Sequence, residues 1–559
     1  MLNVLIVSGG GFQGSTLVKG LQVSNYISVV IVDCFAENVC KYEICKYYQV
    51  PLLKDNELFI CRLLEIIDKE KISIVFPATE LELLLLAKNK EKIEKKKCKL
   101  AISDSNILNI LINKKRVYSF LSDNNFSVLK AINISDTKIK FPIIGKPELG
   151  FGSQGVVVID NYEEFNKYIN NNRVNNYIWQ PYIKKFQEFS IDFAIGFDYR
   201  SSPVIIRKRL KTSGGFSIIS EREKDSSILS EINRFIDIII KKGACGIFNV
   251  QVLKDRKNKI YFSDVNPRVG TSSVFSLGLN INLPLFMCSY FNKQAYLSTI
   301  SDQYNSYSVK MIRSLKEKWI YKYVESEIKA VVFDLDDTLI NQKKWVYDKL
   351  ELLHWAFELH FPNKEIFMAN ALCILEEGNR SLLIDEILKY YKLQNNKSIR
   401  NNMIEFYRKS EPEKIFIYRD VFETIKTIKK AGLKLAILTD NPVSSQKQKI
   451  NKMKISKMFD EIIYSRELAK EKPHEKVFHE VSNRLNIDCK NLVMVGDNLL
   501  RDCHGSINAG YALSFYIARK GTFFNFNFDL FLENNPSTLH KILKIDSLND
   551  ICHSLVNYL

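Results

Sequence analysis

Two carboxylates set two residues apart at the end of an apolar run open the chemistry of this sequence: VVFDLDDTL carries Asp334 and Asp336 directly after residues suited to a buried strand. At that spacing one carboxylate can act as nucleophile while the other moves protons. Downstream, LAILTDN ends a strand at Thr439, KEKPHEKVF places Lys472 before a helix, and LVMVGDNLLRDCHGSINAGY supplies Asp497 and Asp502. Each of these elements falls at the carboxyl end of an expected strand, where open α/β sheets build their sites. A lone DxD is common in solvated loops, so the reading rests on all four elements together.

A second set of candidates lies earlier. PIIGKPELGFGSQGVVVI puts Lys146 at a strand end and follows it with Gly150, Gly152, Ser153 and Gly155. A glycine hairpin of this kind can close backbone N–H groups over phosphates, with the lysine as a fixed charge beside them. WQPYIKKFQEFSIDF then offers Gln180, Ile183 and Glu188, and FNVQV with YFSDVNPRVGTSS offers Gln251, Asp264, Asn266 and Arg268. Gln251, Asp264 and Asn266 present only hard oxygen donors, which suit Mg²⁺ rather than Zn²⁺.

The ordered four elements from Asp334 to Asp502 resemble the haloacid dehalogenase (HAD) superfamily over roughly residues 328 to 520. The resemblance implies that Asp334 attacks phosphorus and that Asp336 protonates the leaving alcohol and then activates water. It implies Thr439 and Lys472 as stabilisers of the transferring group, and Asp334, Asp336, Asp497 and Asp502 as the Mg²⁺ site. An acid at Asp336 points to a phosphatase. The earlier set resembles the ATP-grasp superfamily, in its branch related to the carbamoyl phosphate synthase large subunit, over roughly residues 1 to 290. This second resemblance implies Lys114 and Lys146 on ATP phosphates, Gly152, Ser153 and Gly155 in a lid, Gln180 and Ile183 at adenine and Glu188 at the ribose. It implies Gln251, Asp264 and Asn266 on Mg²⁺ (or Mn²⁺), with Arg268 and Arg209 facing the acceptor. Asp264 stands where Glu is commoner, and NPRVGTSS has Thr271 where the synthase has a second arginine. An organic acid is therefore expected in place of bicarbonate.

What must hold these residues is a chain of 559 residues, too long for one hydrophobic core. The expected fold class is α/β throughout. A Rossmann-like domain (1–108) precedes an ATP-grasp α+β domain (109–300) and a linker (301–327). A doubly wound HAD domain (328–525) with a helical cap at 341–425 follows, then a C-terminal extension (526–559). The opening LNVLIVSGGGFQG matches G-x-G-x-x-G with Asp33 downstream. The favoured reading is close helix packing without dinucleotide binding. Short strands are expected at 142–146, 156–159, 189–196, 203–209, 247–253 and 260–264.

The net charge of +17 is spread along the chain and mixed with Glu, and no stacking aromatics interleave the run KNKEKIEKKKCK. That excludes a nucleic-acid stripe and suits anionic small molecules. All seven histidines lie at or beyond His354, so the first half must work with Lys, Arg and oxygen ligands. Eleven cysteines without C-x-x-C spacing, a start lacking a basic n-region and no long apolar run lead to the expectation of a cytoplasmic protein not inserted in a membrane. The sequence-level expectation is a bifunctional enzyme, an ADP-forming carboxylate–amine ligase joined to a Mg²⁺-dependent phosphatase. Its partners are a small carboxylate, an amine and a phosphate ester; the aromatic run 523–528 is expected as a packed C-terminal strand, with an interface for a partner or a second copy, as in a homo-oligomer, left open. Two alternatives remain: an N-terminal half that binds ATP without catalysis, and a carbamoyl-phosphate-type synthase.

Overall fold

The computed structural model describes residues 2–24, 26–43, 46–134, 139–150, 155–171, 176–291, 309–314, 327–378, 382–523, 526–535 and 541–555. The chain divides into two compact units, Met1–Glu317 and Lys318–Leu559. Among the described residues no helix is long and apolar enough to cross a membrane.

The first unit opens on a parallel sheet. Its strands are β1 (Leu2–Val7), β2 (Ile27–Asp33), β3 (Tyr47–Gln49), β4 (Ile74–Pro77) and β5 (Lys99–Leu100), in the order β3-β2-β1-β4-β5. The run LNVLIV is apolar on both faces because helices cover both sides of a parallel sheet. At Gly14 an added Cβ would lie 1.8 Å from the Gly9 carbonyl oxygen, so the helix Phe12–Leu21 can approach the sheet only with glycine there. Asp33 closes this turn, accepting from the amides of Gly10 at 2.8 Å and Phe35 at 3.0 Å. The glycine motif is spent on packing and turn closure.

Beyond it lies a small antiparallel sheet, β6 (Ile143–Pro147), β7 (Val157–Ile159) and β8 (Tyr177–Pro181), ordered β7-β6-β8. The main sheet has β9 (Phe186–Ile195), β10 (Ile205–Ser213), β11 (Phe216–Arg222), β12 (Gly246–Asp255), β13 (Ile260–Asn266) and β14 (Lys310–Ile312), ordered β13-β12-β9-β10-β11-β14. Helix Ser226–Ile240 buries Ile228, Ile232, Phe235, Ile236 and Ile239 at one stripe. These pack with Phe189, Ile191, Phe193, Phe248 and Val250 from the sheet, which leaves the opposite sheet face for polar residues. β14 corrects the expected linker 301–327, since Lys310–Ile312 pairs with Ile219–Glu221.

The second unit is a doubly wound parallel sheet of β15 (Ala330–Phe333), β16 (Lys434–Thr439), β17 (Glu461–Tyr464), β18 (Leu492–Gly496), β19 (Leu513–Ile517) and β20 (Ile542–Ile545), ordered β17-β16-β15-β18-β19-β20. β20 makes the expected C-terminal extension part of this sheet, with Ile545, Leu548, Ile551 and Leu555 in the core. The aromatic run at 523–528 is not a strand among its described residues: Phe528 begins a helix and stacks on Tyr516 with ring centroids 5.7 Å apart. Among the described residues the cap is formed by helices Gln342–Ala356, Lys364–Glu376, Leu383–Tyr390 and Lys397–Lys409, around a core of their own. The next helix, Asp420–Lys430, packs Val421, Ile425 and Ile428 into the sheet core, so the cap ends before it.

Candidate active sites

Each unit gathers expected site residues among its described residues. In the second, register brings the chemistry together: Phe333 pairs with Ile437 of β16 and with Val495 of β18. Asp334, Thr439 and Asp497 therefore leave three adjacent strands at the same end. Lys472 is 4% exposed and its Nζ lies 2.6 Å from Asp334 Oδ1, 2.6 Å from Asp502 Oδ1 and 3.2 Å from the Leu438 carbonyl. Carboxylate oxygens of Asp334, Asp497 and Asp502 all fall within 4.8 Å of one another. Burial and mutual repulsion push the carboxyls of Asp334 and Asp497 well above the usual range, with Lys472 opposing the rise. Three crowded hard-oxygen donors with one lysine to offset them fit a divalent cation.

Asp336 departs from the expected metal set. Lys449 Nζ holds its Oδ1 at 2.6 Å, while Gln446 at 2.8 Å, Asn441 at 2.9 Å and Gln342 at 3.4 Å donate to Oδ2. Its carboxylate is thus turned to a separate group of donors, outside the cluster of the other three. Burial alone would raise it, but Lys449 and the amides hold it below the ordinary value. Thr439 Oγ1 accepts from Gln446 Nε2 at 2.9 Å, so one glutamine fixes both groups. Lys449 and Gln446 went unnoticed in the sequence because VSSQKQKINKM reads as a solvated helix with many lysines. Their spacing of three, on a helix entered from the Thr439 strand, was the available signal.

The first unit encloses a cavity of about 580 Å³. It is lined by residues expected there: Lys114, Lys146, Ile183, Glu188, Arg209, Gln251, Asp264, Asn266 and Arg268. Alternation along paired strands explains the gathering, since Gln251 lies opposite Asp264 and Ser190, and Asn249 lies opposite Asn266. Lys146 is half-buried, with Nζ 3.3 Å from Ser263 Oγ and 3.5 Å from Tyr118 Oη, and desolvation lowers its pKa. Lys114 Nζ donates to the Gly150 carbonyl at 2.9 Å and lies 3.6 Å from Asp264. Lys115 instead reaches outward to Glu148 at 3.8 Å. Lining charges among the described residues are Lys114, Lys146, Arg207, Arg209 and Arg268 against Glu80, Glu188 and Asp264, which favours an anionic occupant.

Some expected roles meet a different geometry. Gln180 is 1% exposed and donates to the Leu129 carbonyl at 2.6 Å, so its side chain sits behind the cavity wall while Pro181, Tyr182 and Ile183 line it. Glu188, expected at the ribose, and Arg209, expected to face the acceptor, form an ion pair. Gly155, at φ 73°, turns the chain toward Val156 on the wall; Gly152 and Ser153 lie outside the described residues. Arg268 donates to Glu80 at 2.7 Å and lies 3.4 Å from Asn266 Oδ1. Arg207 was missed; it lies two residues before Arg209, on the same strand face, and is held by buried Asp192 at 2.8 Å. The oxygens of Gln251, Asp264 and Asn266 sit side by side on β12 and β13 and fit a hard cation.

Glu82, next to this wall, yields a pH prediction. It is fully buried, accepts from the amides of Ala78 at 3.0 Å and Thr79 at 2.8 Å, and is pushed up by burial to about 7 from 4.5. Because the folded value is the higher, the folded chain holds more protons than the unfolded one between these limits. Stability of the first unit therefore falls as pH rises through that window, by about 3 kcal/mol, and is flat above it. Glu82→Gln keeps an acceptor and removes the ionisation, so the decline flattens. Urea unfolding followed by deuterium uptake in peptides spanning 72–88 reads this directly, and an unchanged slope in the variant would rule it out.

Comparison with known proteins places these sites in families. Residues 331–514 match the family described as haloacid dehalogenase-like hydrolase, residues 4–101 the PylC-like N-terminal domain, and residues 111–272 the ATP-grasp domain. Glyceraldehyde 3-phosphate phosphatase of Methanopyrus kandleri is 27% identical over 189 residues, 33% of this chain and 81% of that protein. N-acylneuraminate-9-phosphatase of Mus musculus is 25% identical over 213 residues, covering 35% and 85%. Among solved structures, N5-carboxyaminoimidazole synthetase from Staphylococcus aureus aligns with a TM-score of 0.40 at 16% identity, over 49% of this chain and 72% of that one. L-amino acid ligase from Bacillus licheniformis aligns with a TM-score of 0.42 at 17% identity, over 52% and 73%. The chain therefore joins a PylC-like N-terminal domain and an ATP-grasp domain to a HAD-like hydrolase domain, two enzyme families in one polypeptide.

Proposed function

We propose that the first unit is an ADP-forming carboxylate–amine ligase and the second a phosphomonoesterase, serving one biosynthetic sequence. The observation that carries the phosphatase reading is the convergence of Asp334, Lys472, Asp497 and Asp502 at one end of the sheet, beside Thr439. Asp334 attacks phosphorus and the ester oxygen leaves as an alcohol, forming an aspartyl-phosphate. Asp336 passes to the leaving oxygen a proton drawn from the Lys449 ammonium on its Oδ1, then takes one from the water that hydrolyses the acylphosphate and returns it to Lys449. Lys472 and Thr439 stabilise the transferring oxygens. Asp334, Asp497 and Asp502 would hold Mg²⁺ or Mn²⁺, which neutralises charge on the phosphoryl group. The phosphatase names of the curated relatives support this half.

In the first unit a carboxylate, itself a poor electrophile, receives the γ-phosphoryl of ATP and becomes an acylphosphate. An amine then attacks the carbonyl and phosphate departs. Lys146 and Lys114 would hold ATP oxygens, Glu188 the ribose, and Arg268 or Arg209 the acceptor carboxylate. Gln251, Asp264 and Asn266 would hold a divalent cation, which would supply charge neutralisation to the phosphates. Phosphoryl transfer asks for positioning and charge more than covalent help, so the absence of histidine from this unit is no obstacle. The pocket's lysines and oxygen donors favour this over a non-catalytic ATP sensor.

The test is to incubate the protein with Mg-ATP, a panel of carboxylic acids and a panel of amines and phosphorylated amines, following ADP, phosphate and product mass. ADP should appear only with a matched acid, and phosphate should leave an ester without ATP. ADP formation independent of any acid would sink the ligase reading. Ester hydrolysis that requires ATP would sink the separation of the two activities.

A further inference from the structure

The cap reaches the second site along one stripe of helix Gln342–Ala356. Gln342, Trp345 and Lys349 are three and seven residues apart, lie on one face and are all buried. Gln342 touches Asp336, so the stripe begins at the carboxylate assigned to the leaving group. Seven residues of helix rise ~10 Å, and a long helical side chain leans back toward the N-terminus, which directs Lys349 toward Asp336.

Lys349 is 5% exposed, yet among the described residues its ammonium has no carboxylate at ion-pair distance. It lies 4.6 Å from the centre of the Tyr407 ring. Glu411, the acid that acts on it, is 3.6 Å from Lys452, and the neighbouring Lys449 is committed to Asp336. Burial and Lys449 push Lys349 down to about 8. On the same stripe, the buried indole N–H of Trp345 has no acceptor among the described residues. A buried cation without a counter-ion is costly unless an anion completes it.

We propose that Lys349 binds a carboxylate on the leaving alcohol of the phosphate ester, an inference that rests on the phosphatase reading of this unit. One ammonium matches one carboxylate in charge, whereas a second phosphate would call for more cations than this stripe supplies. The cap thereby selects anionic alcohols over neutral ones of the same size. A phosphorylated amino or hydroxy acid has this chemistry, and it carries the carboxylate that a ligase could activate.

The experiment compares kcat/KM on matched esters: 3-phosphoglycerate against glycerol 3-phosphate, and O-phosphoserine against O-phosphoethanolamine, with fructose 1,6-bisphosphate as the second-phosphate arm. Wild type should prefer the carboxylated member of a pair by about tenfold or more. Lys349→Met should bring the ratio within about threefold of unity, and Lys349→Arg should retain the preference. A ratio near one in wild type, or a preference kept by Lys349→Met, would overturn the proposal and leave Lys349 as cap packing on Tyr407. So would a preference for the bisphosphate. Failure to hydrolyse any ester, p-nitrophenyl phosphate included, would overturn the phosphatase reading and this inference with it.

Discussion

Asp334→Asn should abolish release of phosphate from esters, by ~10⁴-fold or more, because the nucleophile is removed and neither Asp497 nor Asp502 can replace it. Asp497 leaves the adjacent strand β18 and Asp502 lies in the helical turn after it, held by Lys472 and the Asn498 amide. The change is nearly isosteric and takes one carboxylate out of a crowded trio, so the fold should not lose stability. An unchanged or raised thermal midpoint together with lost hydrolysis would separate catalysis from folding. Residual hydrolysis within tenfold of wild type would remove Asp334 from the role of nucleophile.

Lys146→Met should lower ADP formation by ~10²–10³-fold, the loss that follows when one preorganised charge at a transferring group is removed. Methionine keeps much of the apolar stem. The ammonium it replaces lies on a half-buried side chain, has no carboxylate at ion-pair distance among the described residues, and is held below its ordinary pKa by desolvation. Folding should therefore tolerate the change. The combination to look for is lost ADP formation with unaltered unfolding of the first unit. Normal ADP formation in the variant would mean that the cavity does not hold ATP phosphates at Lys146.

Both sites were legible where strand periodicity and register carry the residues. Asp334, Thr439 and Asp497 end long apolar runs, and parallel pairing aligns such ends. Gln251, Asp264 and Asn266 alternate along paired strands, so sequence spacing already placed them on one face. Gln180 shows the limit of that reasoning. It sits in a short strand whose inward and outward faces the sequence does not distinguish, and its amide went to the Leu129 carbonyl. Lys449 was hidden among the lysines of its helix, although burial beside Asp336 gives it a different environment from its neighbours. Short edge strands such as Lys310–Ile312 and Ile542–Ile545 carry too few residues for a period to emerge.

The cavity in the first unit and the carboxylate cluster in the second draw on separate sets of residues. The proposed ligase and phosphatase are therefore independent catalysts on one chain. Measuring ADP formation and ester hydrolysis side by side in Lys146→Met and Asp334→Asn tests this most directly. Each variant should lose one reaction and keep the other, with Asp334→Asn still forming the ligated product when the amine donor carries phosphate, and retaining that phosphate. If either substitution silenced both reactions, the two sites would not be independent, and the central claim would be contradicted.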